Sequence, residues 1–157
     1  MKRQFADFLH QAMLMDYRIW LVTADLGYKL WDSIAKDFPD RFINVGASEQ
    51  AGMGICVGLA KEGKIPVFYS ISTFAIYRPF ETIRNYLHYE QIPVKILGGG
   101  RGRDYHIDGY SHWPLEQKEV LDTLNIQTFY PKEIDGKYSC FRQFLYNNKP
   151  SYLNLKK

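Results

Sequence analysis

Glu49 is the residue whose type and position best suit it to chemistry. A short apolar run at residues 41–45 predicts a buried strand, and a helix is predicted to begin at Ser48. Gly46 and Ala47 then form a turn at the carboxyl end of a strand, which is where open α/β sheets bind ligands. Two interpretations stay open: Glu49 complements the helix dipole, or it is a partly buried carboxylate that hydrogen-bonds a heterocycle and moves a proton.

The predicted helix that Glu49 begins carries three glycines, Gly52, Gly54 and Gly58. Each costs about 1 kcal/mol of helix stability relative to alanine. Such a penalty is understandable where another backbone must come very close. The pattern therefore predicts that this helix makes a close contact.

Four further candidates follow predicted strands at the same edge of the sheet. Asp25 ends the first strand, and Phe74, Tyr77 and Arg78 lie in the first turns of the helix after the third strand. The two rings would form an aromatic wall near Glu49. Ordinary core packing of the rings is the alternative interpretation.

The segment after the fourth strand, residues 98–113, is rich in glycine, arginine and histidine. It has neither the dinucleotide fingerprint nor a Walker pattern, although Arg101 and Arg103 could meet a sugar phosphate. Asp108 and His112 belong to a cluster of acidic and histidine residues. The cluster is weak evidence for a metal site, because no helix orients its side chains. A loop that contacts substrate or solvent is favoured.

Composition bounds the class of protein. The 157 residues, 46% of them hydrophobic, predict a single domain over residues 1–157. The net charge of +3 is spread along the chain, which does not favour nucleic-acid binding. Two distant cysteines indicate a reducing, cytoplasmic location, and no apolar run approaches the roughly 20 residues of a membrane span.

Strands and helices are predicted to alternate along the chain. The predicted strands are residues 17–23, 41–45, 65–70, 93–97, 126–130 and 151–155, and the predicted helices are residues 1–16, 29–37, 48–60, 72–90, 114–124 and 132–146. Most strands are short apolar runs, which are typical of sheets buried on both faces. The pattern predicts an α/β three-layer sandwich with a mostly parallel sheet of about six strands.

These residues together resemble the pyrimidine-binding domain of the transketolase family of thiamine diphosphate enzymes. The sequence Asn-Val-Gly-Ala-Ser-Glu-Gln at residues 44–50 carries the most specific part of the resemblance. The other matching segments are residues 24–27, 41–43, 58–60, 63–66, 72–78 and 108–112. The resemblance covers nearly the whole chain.

The resemblance implies roles for the candidate residues. Glu49 would hydrogen-bond the aminopyrimidine of the cofactor and favour its imino form, so that the exocyclic nitrogen can deprotonate thiazolium C2. Phe74 would stack on the pyrimidine, with Tyr77 and Arg78 nearby and Asp25 at the cofactor edge of a subunit interface. The same resemblance places Asp108 and His112 in the substrate channel.

The sequence is expected to depart from the family in lacking a diphosphate-binding domain and a C-terminal transketolase domain. The resemblance therefore implies the small subunit of a split enzyme, whose partner chain holds the diphosphate and Mg²⁺ or Ca²⁺, in a heterotetramer. A homodimer is an additional expectation for the chain alone. The implied reaction is transfer of a two-carbon ketol unit between sugar phosphates. A 2-oxo acid decarboxylase or condensing subunit, a non-catalytic assembly module and a nucleotide-binding domain remain alternatives.

Overall fold

The computed structural model describes residues 1–132 and 140–157. Six strands form one sheet in the order β2-β1-β3-β4-β6-β5, and every neighbouring pair is parallel. The strands are β1 (Ile19–Thr23), β2 (Phe42–Asn44), β3 (Ile65–Ile71), β4 (Lys95–Gly99), β5 (Gln127–Phe129) and β6 (Ser151–Leu155). The prediction of an α/β fold with about six strands is confirmed.

Helices cover both faces of the sheet. They are α1 (Lys2–Met15), α2 (Asp32–Asp37), α3 (Glu49–Lys61), α4 (Ser72–Tyr77), α5 (Phe80–Thr82), a π-helical segment Ile83–Tyr89, α6 (Gln117–Thr123) and α7 (Cys140–Tyr146). Within the described ranges, none of these helices is long and apolar enough to cross a membrane.

Two apolar cores lie on opposite faces of the sheet. Phe5 and Leu9 of α1 pack with Phe144 of α7 on one face, whereas Met53 of α3 and Ile76 of α4 belong to the other. Alternate residues of a strand point to opposite faces, so β3 contributes to both cores. This arrangement is the three-layer sandwich that the sequence predicts.

The long helix predicted over residues 72–90 is present but not continuous, and its interruption lies at Pro79, where the sequence predicts a bend. It is divided at Arg78 and Pro79 into α4, the short α5 and the π-helical segment Ile83–Tyr89. Proline has no backbone N–H and clashes with the preceding turn, so it interrupts a helix. Because of this interruption, α4 and the segment that follows it need not share one helix axis.

Two other predicted helices begin too early. Lys29 has φ of 59°, in the left-handed region, so the chain turns there and α2 begins at Asp32 rather than at residue 29. Similarly, α6 begins at Gln117 and not at Pro114. Of the helix predicted over residues 132–146, Cys140–Tyr146 is helical, Lys132 is not, and residues 133–139 lie outside the described ranges.

Candidate active site

The carboxyl ends of β1, β2 and β3 meet where the winding of the sheet reverses. The chain passes from β1 outward to β2 and then returns across β1 to β3. Such a switch point leaves a crevice between the loops that leave the strands. Asn44 links two of these loops, because its Oδ1 accepts hydrogen bonds from the N–H groups of Asp25 at 2.9 Å and Gly46 at 3.1 Å.

Glu49 is the first residue of α3 and is only 3% exposed. Gly46 has φ of 66°, a conformation that glycine adopts readily, and it lets the chain turn from β2 into this helix. Ser48 occupies the N-cap position, although its side chain makes no capping hydrogen bond. The turn therefore places the Glu49 carboxylate at the edge formed by the carboxyl ends of the strands.

Both oxygens of the Glu49 carboxylate have partners. The hydroxyl of Ser70 donates a hydrogen bond to Oε1 over 3.2 Å, and Nη1 of Arg78 donates to Oε2 over 2.7 Å. Ser70 is completely buried on β3, whereas the side chain of Arg78 is 46% exposed. The carboxylate is thus bonded on its inner side by the sheet and on its outer side by a half-exposed cation.

Of the two rings that the sequence predicts as an aromatic wall, Phe74 lies beside Arg78 at the site, whereas Tyr77 packs against the apolar core. Cζ of Arg78 lies 3.7 Å from the centroid of its ring, which is a face-on cation–π contact. The imidazole of His112 approaches the same ring edge-on, with 4.9 Å between the centroids. Arg78 therefore links Glu49 to Phe74, and His112 contacts the same ring. The cofactor- and substrate-binding roles of these residues stay predictions.

Tyr77 has a different environment from Phe74. Its hydroxyl donates to Oε1 of Glu116 over 3.0 Å, which connects α4 to the segment before α6. Burial, and then the Glu116 contact, raises the pKa of the Tyr77 hydroxyl. The phenol is consequently a neutral hydrogen-bond donor at ordinary pH, and its cofactor-binding role stays a prediction.

Asp25 is exposed and has φ of 52°. It lines a cavity of about 240 Å³ together with Asn44 and Trp31. This cavity lies at the carboxyl ends of β1 and β2, at the edge where Glu49 is found. The position agrees with the predicted interface role of Asp25, which stays a prediction.

Hydrogen bonds hold the backbone at the start of the segment between β4 and α6. The hydroxyl of Ser72 donates to the carbonyl oxygens of Gly99 and Gly100 at 3.2 and 2.7 Å, and the amide of Asn154 donates to Gly100 at 2.9 Å. Farther along, Thr73 donates to the carbonyl oxygen of Ser111 at 2.7 Å. These bonds hold both ends of the segment against the sheet and α4.

Asp108 and Arg101, which the sequence proposes as substrate contacts, lie in different surroundings. Asp108 is exposed at the end of a 3₁₀ turn. Arg101 instead turns inward, and its Nη2 donates to the carbonyl oxygens of Asn154 at 2.6 Å and Pro131 at 3.2 Å. Burial lowers the pKa of this guanidinium. Its contacts are those of a residue that stabilises the fold, and substrate binding by Arg101 stays a prediction.

A cationic cavity that the sequence does not predict lies beside the aromatic wall. It has a volume of about 430 Å³, and Lys2, Arg3 and Lys29 contribute to its lining together with Tyr105. None of the described residues that line it is acidic. Nζ of Lys2 donates to the Tyr105 hydroxyl at 2.6 Å, and the Tyr105 ring lies 6.0 Å from His112, centroid to centroid. The cavity therefore adjoins the site through these two rings.

Ser70 and the cationic cavity are functional candidates that sequence reasoning missed. A serine at the end of an otherwise apolar strand is a signal that could have identified Ser70. For Lys2 and Tyr105, 103 residues apart in the chain, no comparable signal exists.

The site residues fit a planar, nitrogen-containing heterocycle. A buried carboxylate offers a hydrogen-bond acceptor, and the neighbouring face of Phe74 offers a stacking surface. A planar nitrogen-rich group, the guanidinium of Arg78, makes both contacts in this structure. Among the described residues there is no group of three or more histidine, cysteine or acidic side chains that could hold a metal ion.

A parallel α/β sheet with a buried carboxylate and an aromatic ring at its switch point is the arrangement of a ligand-binding α/β domain. The family described as the transketolase pyrimidine binding domain matches residues 1–157, and the chain belongs to this family. Membership implies the use of thiamine diphosphate. The resemblance read from the sequence is thereby confirmed.

Relatives support the same assignment. A putative transketolase C-terminal section from Methanocaldococcus jannaschii is 34% identical over 122 residues, which are 77% of this chain and 39% of that protein. The 6-deoxy-6-sulfo-D-fructose transketolase subunit SqwH of a Clostridium species is 28% identical over 153 residues, 96% of this chain and 48% of that protein.

Among solved structures, a split gene transketolase described as an inactive beta4 tetramer has a TM-score of 0.83 at 31% identity. The alignment covers 99% of this chain and 51% of that chain. This chain therefore spans about half, or less, of the length of these relatives.

Proposed function

We propose that this chain supplies the pyrimidine half of a thiamine diphosphate site in a transketolase-like enzyme, which transfers a two-carbon ketol unit between sugar phosphates. The observation that carries the proposal is the Glu49 carboxylate, which is 3% exposed and is joined to the face of Phe74 by the guanidinium of Arg78. Burial of a carboxylate requires a polar partner, which the half-exposed Arg78 supplies in this structure. An aminopyrimidine presents N–H groups that would bond the same oxygen.

Each residue of the site then has a defined task. Oε2 of Glu49 holds or accepts a proton at the ring nitrogen of the pyrimidine, while Ser70 fixes the carboxylate through Oε1. Phe74 orients the ring by stacking, and His112 stands at the edge of Phe74, toward the substrate. Thiamine diphosphate, when bound, supplies a carbon nucleophile for the sugar carbonyl. The protein contributes orientation and proton transfer to that chemistry.

A separate chain would complete the site. It would hold the diphosphate together with Mg²⁺ or Ca²⁺, and the two chains would form a heterotetramer. Relatives named as transketolase subunits support this arrangement, as does the structural neighbour described as an inactive beta4 tetramer. The chain alone is then expected to form homo-oligomers without activity.

One face of α3 offers a surface for such a partner. Gly54 and Gly58 are exposed, and a Cβ atom added at either would meet nothing within 4 Å. Ala47, Ala51 and Ile55 are exposed nearby. Small residues on an exposed helix face allow another backbone to approach closely, which explains why glycine is used despite its cost to the helix. We place the partner chain, or a second copy of this chain, against this face.

The cationic cavity supports an anionic sugar as the substrate. Lys2, Arg3 and Lys29 give it three positive charges without an acidic neighbour among its described lining residues. Ammonium and guanidinium groups bind phosphate strongly through charge-assisted hydrogen bonds. A sugar whose reacting carbons lie near His112 could place its phosphate in this cavity.

The decisive experiment is calorimetric titration of thiamine diphosphate with Mg²⁺ into this chain, with and without a candidate diphosphate-binding chain from the same genome. Heat of binding is expected only when both chains are present. Full ketol transfer by this chain alone would overturn the requirement for a partner. Absence of binding under both conditions would favour a non-catalytic assembly module instead.

A further inference from the structure

Arg78 lies between the two surfaces that a pyrimidine ring would use. Its guanidinium donates to Oε2 of Glu49 over 2.7 Å and stacks on Phe74, with Cζ 3.7 Å from the ring centroid. The Glu49 oxygen that is not bonded to Ser70 and the accessible face of Phe74 are thereby both covered. In the described residues, Arg78 is the side chain that contacts both groups.

A guanidinium and an aminopyrimidine share the chemistry that these two surfaces recognise. Each is planar and carries nitrogen atoms that can present N–H groups to a carboxylate in the plane. Each also has a flat face that stacks on an aromatic ring. Because Glu49 and Phe74 border one space, a second planar group cannot make both contacts while the guanidinium remains there.

The position of Arg78 allows its side chain to leave. The side chain is 46% exposed, so its path toward solvent is open, in contrast to the 3% exposed Glu49. It follows α4 directly and precedes Pro79, where the helix is interrupted. Without Arg78 or a ligand, the buried carboxylate would keep the Ser70 hydroxyl on Oε1 but lose its cationic partner.

We propose that Arg78 is a placeholder in the pyrimidine subsite: its guanidinium occupies the space between Glu49 and Phe74 and is displaced by the aminopyrimidine of the cofactor. This inference rests on the proposed function, because it specifies how that same site passes from its empty to its loaded state. Cofactor binding is then a competition between two planar nitrogen groups for one carboxylate. The observed dissociation constant equals the intrinsic one divided by the fraction of molecules in which Arg78 has left the space.

The first test measures binding of thiamine diphosphate and Mg²⁺ to the assembled complex by calorimetry. For Arg78→Met, which removes the competitor, the dissociation constant is expected to fall by about tenfold if one molecule in ten is open at a time. Arg84→Met is the control, because Arg84 is an exposed arginine that contacts Asn85 and Tyr89 outside the site. A weaker binding by Arg78→Met would show that Arg78 is a ligand of the cofactor and would overturn the proposal.

The second test needs no partner chain and no cofactor. Arg78→Ala leaves a space bordered by Glu49 and Phe74, and methylguanidinium at low millimolar concentration is expected to raise the Tm of this variant by about 3 °C. Sodium chloride at equal ionic strength should not do so. The same probe should have no such effect on the wild-type protein or on the double variant Glu49→Gln, Arg78→Ala.

The two tests separate this inference from the proposed function. If no chain combination binds thiamine diphosphate, the proposed function fails, whereas rescue by methylguanidinium still supports occupancy of the space by Arg78. If methylguanidinium fails to stabilise Arg78→Ala, the guanidinium is not held there and the placeholder proposal is overturned, whatever the cofactor does.

Discussion

The hydroxyl of Ser70 lies 3.2 Å from Oε1 of Glu49, and both residues are buried. Ser70 belongs to β3 at the centre of the sheet, whereas Glu49 begins α3. This hydrogen bond therefore ties the carboxylate to an interior strand of the sheet. It also leaves Oε2 as the oxygen that faces the aromatic wall.

Replacement of Glu49 by alanine is expected to reduce kcat in the assembled complex about 10²- to 10⁴-fold. This range is the typical contribution of a general acid or base. The fold should persist, because the side chain lies at the edge of the sheet. Circular dichroism and steady-state rates check both statements. Glu62→Ala, at the exposed end of α3, is the control, and a Glu49→Ala enzyme that keeps most of its rate would refute the assigned role.

Ser70→Ala should lower kcat by roughly tenfold and the free energy of unfolding by about 1 kcal/mol, because one hydrogen bond to the carboxylate is lost. Ser151→Ala is a matched control, since Ser151 is equally buried but bonds Asn147 and Lys149. It should lose similar stability without loss of kcat. Equal effects of the two variants on kcat would mean that Ser70 has no special part in holding Glu49.

Gly58→Ala should stabilise the isolated chain by up to about 1 kcal/mol, because alanine favours the helix and the added methyl meets open space. The same methyl should weaken association with the partner chain, which analytical ultracentrifugation measures. Gly52→Ala provides the contrast: its Cβ would come within 2.7 Å of the Phe68 ring and should destabilise the chain by about 1–3 kcal/mol. Unchanged association of Gly58→Ala would exclude this face from the interface.

Lys2→Met should raise the KM for a ketose phosphate by about tenfold, through loss of a charge-assisted hydrogen bond to the phosphate. The KM for the unphosphorylated ketose should change little, and this ratio distinguishes phosphate binding from general damage. Lys36→Met on α2, which removes an exposed charge elsewhere, is the control. An equal rise of KM for both substrates would argue against a phosphate in the cationic cavity.

Lys95 is 1% exposed, and its ammonium donates to three oxygens of Asn147 and Lys149. Burial lowers its pKa to about 7. The unfolded chain keeps this proton up to about pH 10, so it binds more protons than the folded chain between these values. The free energy of unfolding should therefore rise with pH from about 7 to 9.

Urea denaturation of the wild-type protein and Lys95→Met over this range measures the contribution of Lys95. The difference between the two proteins should change with pH, whereas the corresponding difference for Lys36→Met should stay constant. A constant difference for Lys95→Met would show that the three oxygens keep the ammonium protonated throughout.

The alternation of strands and helices and the place of Glu49 could be predicted from the sequence, because both depend on local patterns. Apolar runs fix the strands, and the Asn44 to Glu49 segment specifies a turn into a helix. The sequence predicts that Arg78 lies near Glu49, but neither hydrogen bond to the carboxylate could be predicted in the same way. Ser70 and Arg78 lie 21 and 29 residues farther along the chain, and their approach depends on strand order and on the interruption at Pro79.

The cationic cavity is a second feature that could not be predicted from the sequence. Lys2 and Tyr105 meet because α1 packs on the sheet next to the end of β4, a relationship of tertiary structure. Arg101 is the opposite case, a residue that the sequence favours for a site and the structure places elsewhere. An arginine in a glycine-rich loop is a residue type that binds phosphate. Its inward contacts with the carbonyl oxygens of Pro131 and Asn154 follow from packing that no local pattern encodes.

The hydrogen bonds from Ser72 and Asn154 to the carbonyl oxygens of Gly99 and Gly100 have an evolutionary consequence. They fix the backbone at the point where the segment between β4 and α6 leaves the sheet. Substitutions at exposed positions of this segment, such as Ile107 and Asp108, are therefore expected to leave Glu49 in place, whereas a change at His112 would reach Phe74 directly. The exposed part of the segment can thus vary in evolution while the strand ends around Glu49 are kept.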